Sequence, residues 1–205
     1  MKKILPFILL IFVSCQKEQK HLTDYVNPFI GTGGHGHTYP GASAPFGMVQ
    51  LSPDSRLEGW DGCGGYHYSD SIIYGFSHTH LSGTGVSDYG DILLMPTTGE
   101  LLLNNGANGD PGYSSKFSHE KEKAIAGYYN VLLEDYNINV ELTTSQRAGF
   151  HKYTFQKDEV AQVVLDLEHR DKLLDYKIEL LDSNTLQGIR YSNNWAREQK
   201  VHFYM

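Results

Sequence analysis

Four stretches of the chain concentrate the side chains able to do chemistry, and all lie before residue 94. Residues 27–42 carry His35, His37 and Tyr39 among closely spaced glycines. Residues 59–68 set Trp60 beside Asp61 and continue through Cys63, Tyr66, His67 and Tyr68. Residues 75–85 hold His78 and His80, and residues 88–93 hold Asp88 and Asp91. Loops so rich in glycine turn tightly and let the backbone approach a partner closely.

Three chemistries fit these residue types. His35 and His37, like His78 and His80, are two apart, which puts both rings on one side of an extended segment. Two such pairs would supply imidazoles for zinc or another transition metal, or would orient loops by hydrogen bonding. A sugar site joins a flat aromatic to convergent polar groups, and Trp60 next to Asp61 offers both types; the alternative is a core or hinge tryptophan. Glycoside hydrolysis needs two carboxylates, about 6.5–9.5 Å apart for inversion or about 5–5.5 Å for retention. Asp61, Asp88 and Asp91 are available, but nothing in their spacing pairs them, and turn capping accounts for each. The glycines of residues 31–36 do not make a phosphate loop, because Pro40 follows where a helix would have to start.

The elements that must position these loops are strands. Of 205 residues, 40% are hydrophobic and 20% charged, and Gly (21) and Tyr (14) are abundant, a balance that favours a packed core of strands and turns. Net charge is −7 with no sustained Lys/Arg cluster, which excludes a nucleic-acid face. Ile138, Val140 and Leu142 alternate with polar neighbours, a half-buried strand, and Ala161, Val163, Leu165 and Leu167 repeat the pattern. Residues 128–133, 149–155, 177–181 and 187–191 are further strands, as are 48–51 and 91–95. Runs about ten residues apart predict an antiparallel sandwich or barrel.

The first residues read as an address. Lys2 and Lys3 precede an apolar run over residues 4–13, too short to span a bilayer, and Ser14 and Cys15 follow. Residues 1–14 are expected to be a lipoprotein signal peptide and Cys15 the lipidated residue. Residues 15–22 would be a polar tether, and the domain would occupy 23–205. The expected location is the bacterial cell envelope, outer membrane or periplasm, held by the lipid. With Cys15 acylated, Cys63 has no disulfide partner. Residues 201–205 read as the beginning of a strand, so the domain is expected to be incomplete at its C-terminal end.

The motifs of residues 25–33, Trp60-Asp61-Gly62-Cys63-Gly64-Gly65-Tyr66, and residues 76–85 resemble glycoside hydrolase family 92. So do residues 126–129, 141–143, 147–151 and 188–192. The resemblance implies an all-β, antiparallel sandwich that precedes a large (α/α) toroid. It implies an exo-acting, inverting α-mannosidase, often cutting α-1,2 links in mannose-containing glycans, with calcium at the sugar. The acid, the base and most of the calcium shell belong to the toroid, so no catalytic residue and no metal ligand is carried onto this chain. Trp60, Asp61, Cys63, His78 and His80 are the positions expected near the sugar. Other functions compatible with the residues are a stand-alone sugar-binding lipoprotein module and a His-ligated metal enzyme.

Overall fold

A computed structural model describes residues 20–157 and 159–205. The expected signal peptide, Cys15 and most of the tether lie outside the described residues. In chain order the strands are β1 (Ala42–Ser43), β2 (Gln50–Asp54), β3 (Ile72–Ile73), β4 (Gly75–Ser77), β5 (Leu93–Thr97), β6 (Ser115–Lys116) and β7 (Glu122–Ile125). They continue with β8 (Tyr128–Leu133), β9 (Ile138–Thr144), β10 (Gly149–Thr154), β11 (Gln162–Asp166), β12 (Lys172–Leu180), β13 (Leu186–Asn193) and β14 (Gln199–Tyr204).

Two antiparallel sheets share one core. The first runs in the order β1-β2-β4-β5-β11 and the second is the meander β7-β8-β9-β10. In the meander, the pairs Tyr129↔Leu142, Val131↔Val140 and Leu133↔Ile138 put apolar side chains opposite one another on the inner face. Leu51, Phe76, Leu93, Met95 and Val164 of the first sheet close the core from the other side. The alternation at Ile138, Val140 and Leu142 thus appears as expected, and an all-β antiparallel fold follows.

One expected face is inverted at Val163, although Leu167 of the same expected set is buried. In β11 the buried residue is Val164, while Val163 is 49% exposed. Residues 163–165 are apolar without a break, so period alone does not select a face. Pairing with β5 selects it: Val164 lies opposite the inward Met95. Strands expected at 48–51 and 91–95 also sit about two residues later, where Gln50–Asp54 and Leu93–Thr97 find partners.

The third sheet, β12-β13-β14, is fastened to this body around one buried cation, beside which Asn194 Nδ2 donates to Ser87 O (2.5 Å) and Ala196 N to Asp88 Oδ2 (3.3 Å). Arg190 of β13, 1% exposed, donates from Nε to Leu167 O (2.7 Å), from Nη1 to Asp91 Oδ1 (2.5 Å) and from Nη2 to Asp171 O (3.2 Å). Asp91 also accepts from Thr79 Oγ1 and Gln199 Nε2, both at 2.6 Å. Farther along, Tyr176, Ile178 and Leu180 are exposed, and a cleft of about 1090 Å³ separates the sheet from β10.

Around Arg190, carboxylates outnumber cations. Asp88 and Asp171 are both buried and share the Tyr89 amide, at 2.8 and 3.1 Å. Burial, then the neighbouring Asp88, pushes the Asp171 carboxyl up to about 7, although Arg190 and Asn194 pull the other way. The folded chain therefore keeps a proton that the unfolded chain, with an ordinary value of about 3.9, has released. This contribution to stability is complete below about pH 4 and lost as pH rises through about 7. Urea melts at pH 5 and pH 8 are expected to show lower stability at pH 8, and Asp171→Asn is expected to flatten that slope.

Candidate functional site

The glycine-rich stretches converge at one end of the first sheet. Their backbones are tied to each other: Gly62 N donates to Gly36 O (3.0 Å), Tyr68 N to Thr32 O (2.8 Å) and Gly83 N to His37 O (2.8 Å). His67 Nε2 donates to Gly34 O at 2.9 Å, which leaves Nδ1 to accept from Ser69 N at 3.2 Å. Arg170 crosses beneath, donating to Cys63 O (3.2 Å) and Arg56 O (3.3 Å).

This frame presents a shallow pocket of about 700 Å³ lined by Arg56, Glu58, Trp60, Asp61 and Tyr74 among others. Trp60 is 63% exposed. One part of its ring lies against Gly85, and the His37 ring meets it edge-on, centroids 5.0 Å apart. His37 Nε2 is buried there without a hydrogen-bond partner. Asp61 receives a 2.9 Å hydrogen bond from His35 Nδ1, which, against a smaller opposing effect of burial, holds its carboxyl below the usual range. Arg56 is set along the wall by Asp70, with Nε donating to Oδ2 at 3.2 Å and Nη2 to Oδ1. The pocket thus combines an open aromatic face, an ionised carboxylate and an oriented guanidinium.

Below the pocket lies a fully buried carboxylate, Asp54, at the end of β2. Ser77 donates to it from both its hydroxyl and its amide, the latter at 3.2 Å. His80 Nε2 lies 3.3 Å from Asp54 Oδ1 and 3.0 Å from Ser77 Oγ, while His80 Nδ1 donates to Gln50 O at 2.7 Å. His169 Nε2 is 3.6 Å from the same Asp54 oxygen, a charge contact longer than a hydrogen bond. Burial raises the cost of ionising Asp54, but His80 and His169 together outweigh it and hold the carboxyl well below the usual range. Ser, His and Asp are the residues of a hydrolytic triad, but this is not one. The serine hydroxyl points at the carboxylate, the histidine Nδ1 is spent on a carbonyl, and no substrate reaches atoms this buried.

The structure therefore separates the five expected positions. Trp60 and Asp61 share the pocket. Cys63 is buried in the turn behind them, and His80 belongs to the Asp54 network. His78 faces the cleft beside β10, where His151 Nε2 lies 3.0 Å from its Nε2. The rings of His35 and His37, and of His78 and His80, do not converge on one point; among the described residues no group of three or more His, Cys, Asp or Glu is placed to hold a metal ion. Tyr66 turns into the core with its hydroxyl on Glu122 (2.7 Å), and Tyr68 stacks on His119. Arg56 was not singled out from the sequence, and an isolated arginine after a strand carries no motif. Arg170 and His169 lie more than a hundred residues from the groups they hold, so only the fold brings them in.

A domain of antiparallel sheets, two of them around one core, with a glycine-built loop site at one end defines the class, and comparison with known proteins defines the family. Residues 25–205 match the glycosyl hydrolase family 92 N-terminal domain. The α-mannosidase BT3965 of Bacteroides thetaiotaomicron, solved with mannoimidazole, superposes with a TM-score of 0.85 at 40% identity, over 90% of this chain and 25% of that one. The inverting mannosidase BT2199 from the same organism superposes with a TM-score of 0.69 at 30% identity, over 86% and 24%. An uncharacterized secreted glycosidase of Arthroderma benhamiae is 32% identical over 158 residues, 72% of this chain and 19% of that protein. The chain belongs to glycosyl hydrolase family 92, and it is the N-terminal domain of that family. It spans about a quarter of the length of the solved relatives and about a fifth of the curated one.

Gly65 joins the two levels of the site. It has φ +98°, and a Cβ there would stand 2.3 Å from Asp54 Oδ1 and 2.9 Å from His80 Cδ2. Gly65→Ala is expected to cost at least about 1–3 kcal/mol from backbone strain alone. Chemical denaturation measures that loss, and the near-UV signal of Trp60 should change with it.

Proposed function

We propose that this chain is the sugar-facing N-terminal domain of an exported, calcium-dependent α-mannosidase. The enzyme would remove terminal α-1,2-linked mannose from mannose-containing glycans with inversion. The observation that carries the reading is the pocket, where exposed Trp60 stands beside ionised Asp61 and oriented Arg56. An aromatic face suits the apolar side of a pyranose, and a carboxylate and a guanidinium suit its hydroxyls. Support comes from solved relatives described as a mannosidase bound to mannoimidazole and as an inverting mannosidase.

The residues present do not make a calcium shell. Calcium takes about six to eight oxygens, and this pocket offers the carboxylates of Glu58 and Asp61, the latter engaged by His35. The ion, like the acid and base, would be held by a further domain, and no step here runs through it. The role of this chain is to form one wall of the site, to orient the sugar by its flat face and to keep water from that side.

The 205-residue chain alone is expected to release no mannose from α-1,2-mannobiose, with or without calcium. In a protein that joins it to the remainder found in its relatives, Trp60→Ala removes about 1.5–3 kcal/mol of apolar contact. That corresponds to a fall of about tenfold to a hundredfold in kcat/KM. Unchanged kcat/KM, or mannose release by the isolated chain, would overturn the reading.

Export and lipid anchoring are part of the proposal. They rest on Cys15 after a short apolar run and accord with a relative described as secreted. Bacteria expressing the protein and fed a palmitate analogue are expected to label it, and Cys15→Ala to abolish the label.

A further inference from the structure

The cleft between β10 and the third sheet holds a side-chain pair that the sugar site does not use. His78 follows β4 and His151 lies on β10. Their Nε2 atoms face each other at 3.0 Å in the cleft wall. Each ring is anchored by its other nitrogen. His78 Nδ1 is 2.6 Å from Ile92 O, and a carbonyl only accepts, so Nδ1 carries the hydrogen and Nε2 is a bare lone pair on the neutral ring. His151 Nδ1 is 2.8 Å from the Tyr153 hydroxyl, which either donates or accepts. His151 therefore exchanges one tautomer for the other without losing that bond. Without a metal, its Nε2–H donates to His78; in the other tautomer two Nε2 lone pairs stand 3.0 Å apart.

We propose that His78 and His151 form a binding site for a late first-row divalent ion of the copper(II) or nickel(II) kind. Two nitrogens each about 2.0–2.1 Å from one ion stand about 2.9 Å apart at a right angle and about 3.3–3.4 Å at a tetrahedral one. The observed 3.0 Å suits the cis positions of a square or tetragonal ion. Ile92 O and the Tyr153 hydroxyl are the kind of outer partners that fix the tautomer of metal-bound imidazoles. The pair is reachable, since both residues line the cleft. No third His, Cys, Asp or Glu among the described residues completes the set, so water or a donor in the cleft fills the remaining positions. Two imidazoles distinguish this site from the all-oxygen shell that calcium takes.

The test titrates copper(II) into the full chain at neutral pH. One ion is expected to bind per chain, with an electron paramagnetic resonance spectrum showing two imidazole nitrogens. His151→Gln should weaken binding at least tenfold and leave one nitrogen. Tyr153→Phe, which only frees the His151 ring, should weaken it by about tenfold to a hundredfold. In the unmodified protein, substoichiometric copper should broaden the ring-proton signals of His78 and His151 before those of exposed His21 and His35, which lie outside the cleft. The proposal is overturned if broadening is uniform across the histidines. It is overturned equally if a folded His78→Gln/His151→Gln variant keeps the affinity and nitrogen count of the parent.

Discussion

A carboxylate with no access to water, Asp54, holds the functional end of this domain together. Its two oxygens engage Ser77 at the end of β4, His80 three residues later and His169 beyond β11. Isolated, such a charge would be among the most costly groups to bury. Surrounded by two imidazoles and a hydroxyl, it ties three chain segments together: β2, the stretch from Ser77 to His80, and the one carrying His169. An apolar cluster of equal volume would avoid the desolvation cost, but it would carry no directional bonds to set where Gly65 and the turn above it must sit. Because Gly65 has no side chain, the Trp60 turn rests almost directly on the carboxylate.

A second ionic node, Arg190 with Asp91, performs a different task. It fastens the third sheet to the body at one end, where the guanidinium reaches a carboxylate and two backbone carbonyls. The far end has no such anchor, and its apolar side chains at Tyr176, Ile178 and Leu180 stay exposed. The cleft lies on the other face of β12, lined by Lys177 and Glu179 with Ile189, Val201 and Phe203 of the neighbouring strands. Asp91 also links the two nodes: its backbone carbonyl accepts from His78 N (3.0 Å) and its amide donates to Thr79 Oγ1 (3.0 Å). The segment carrying His78 and His80 is thus held between Asp54 on one side and Asp91 on the other.

What the sequence made legible divides along local and long-range causes. The alternation of Ile138, Val140 and Leu142 is local, because period two and burial on one side coincide, and β9 follows it. At residues 163–165 the local signal is degenerate, and the partner strand chooses the face. The spacing of His78 and His80 suggested rings on one side of an extended segment. β4 ends at Ser77, however, and each ring turns to its own backbone carbonyl, Ile92 O for one and Gln50 O for the other. The clustering of Trp60 with Asp61 was visible because they are adjacent in the chain. Arg56, His169 and Arg170 were not, since their roles come from contacts that no periodicity records.

The form of the pocket bears on how such a domain contributes to catalysis under the proposed reading. Enclosed sites bury most of a ligand's surface, whereas here Trp60 stands 63% exposed above a shallow floor. One open wall gives a sugar little affinity, because ordering the ligand costs about as much as a single stacking contact returns. A rigid wall still matters to a reaction, since a reacting group misplaced by about an ångström costs rate even when binding survives. Rigidity is what the buried network supplies: Trp60 sits between Gly85 and His37, its turn is pinned by Arg170, and the base of the loop meets Asp54. The domain's contribution is then orientation rather than affinity, and substitutions in the Asp54 network would act on rate through the position of Trp60 without touching the sugar.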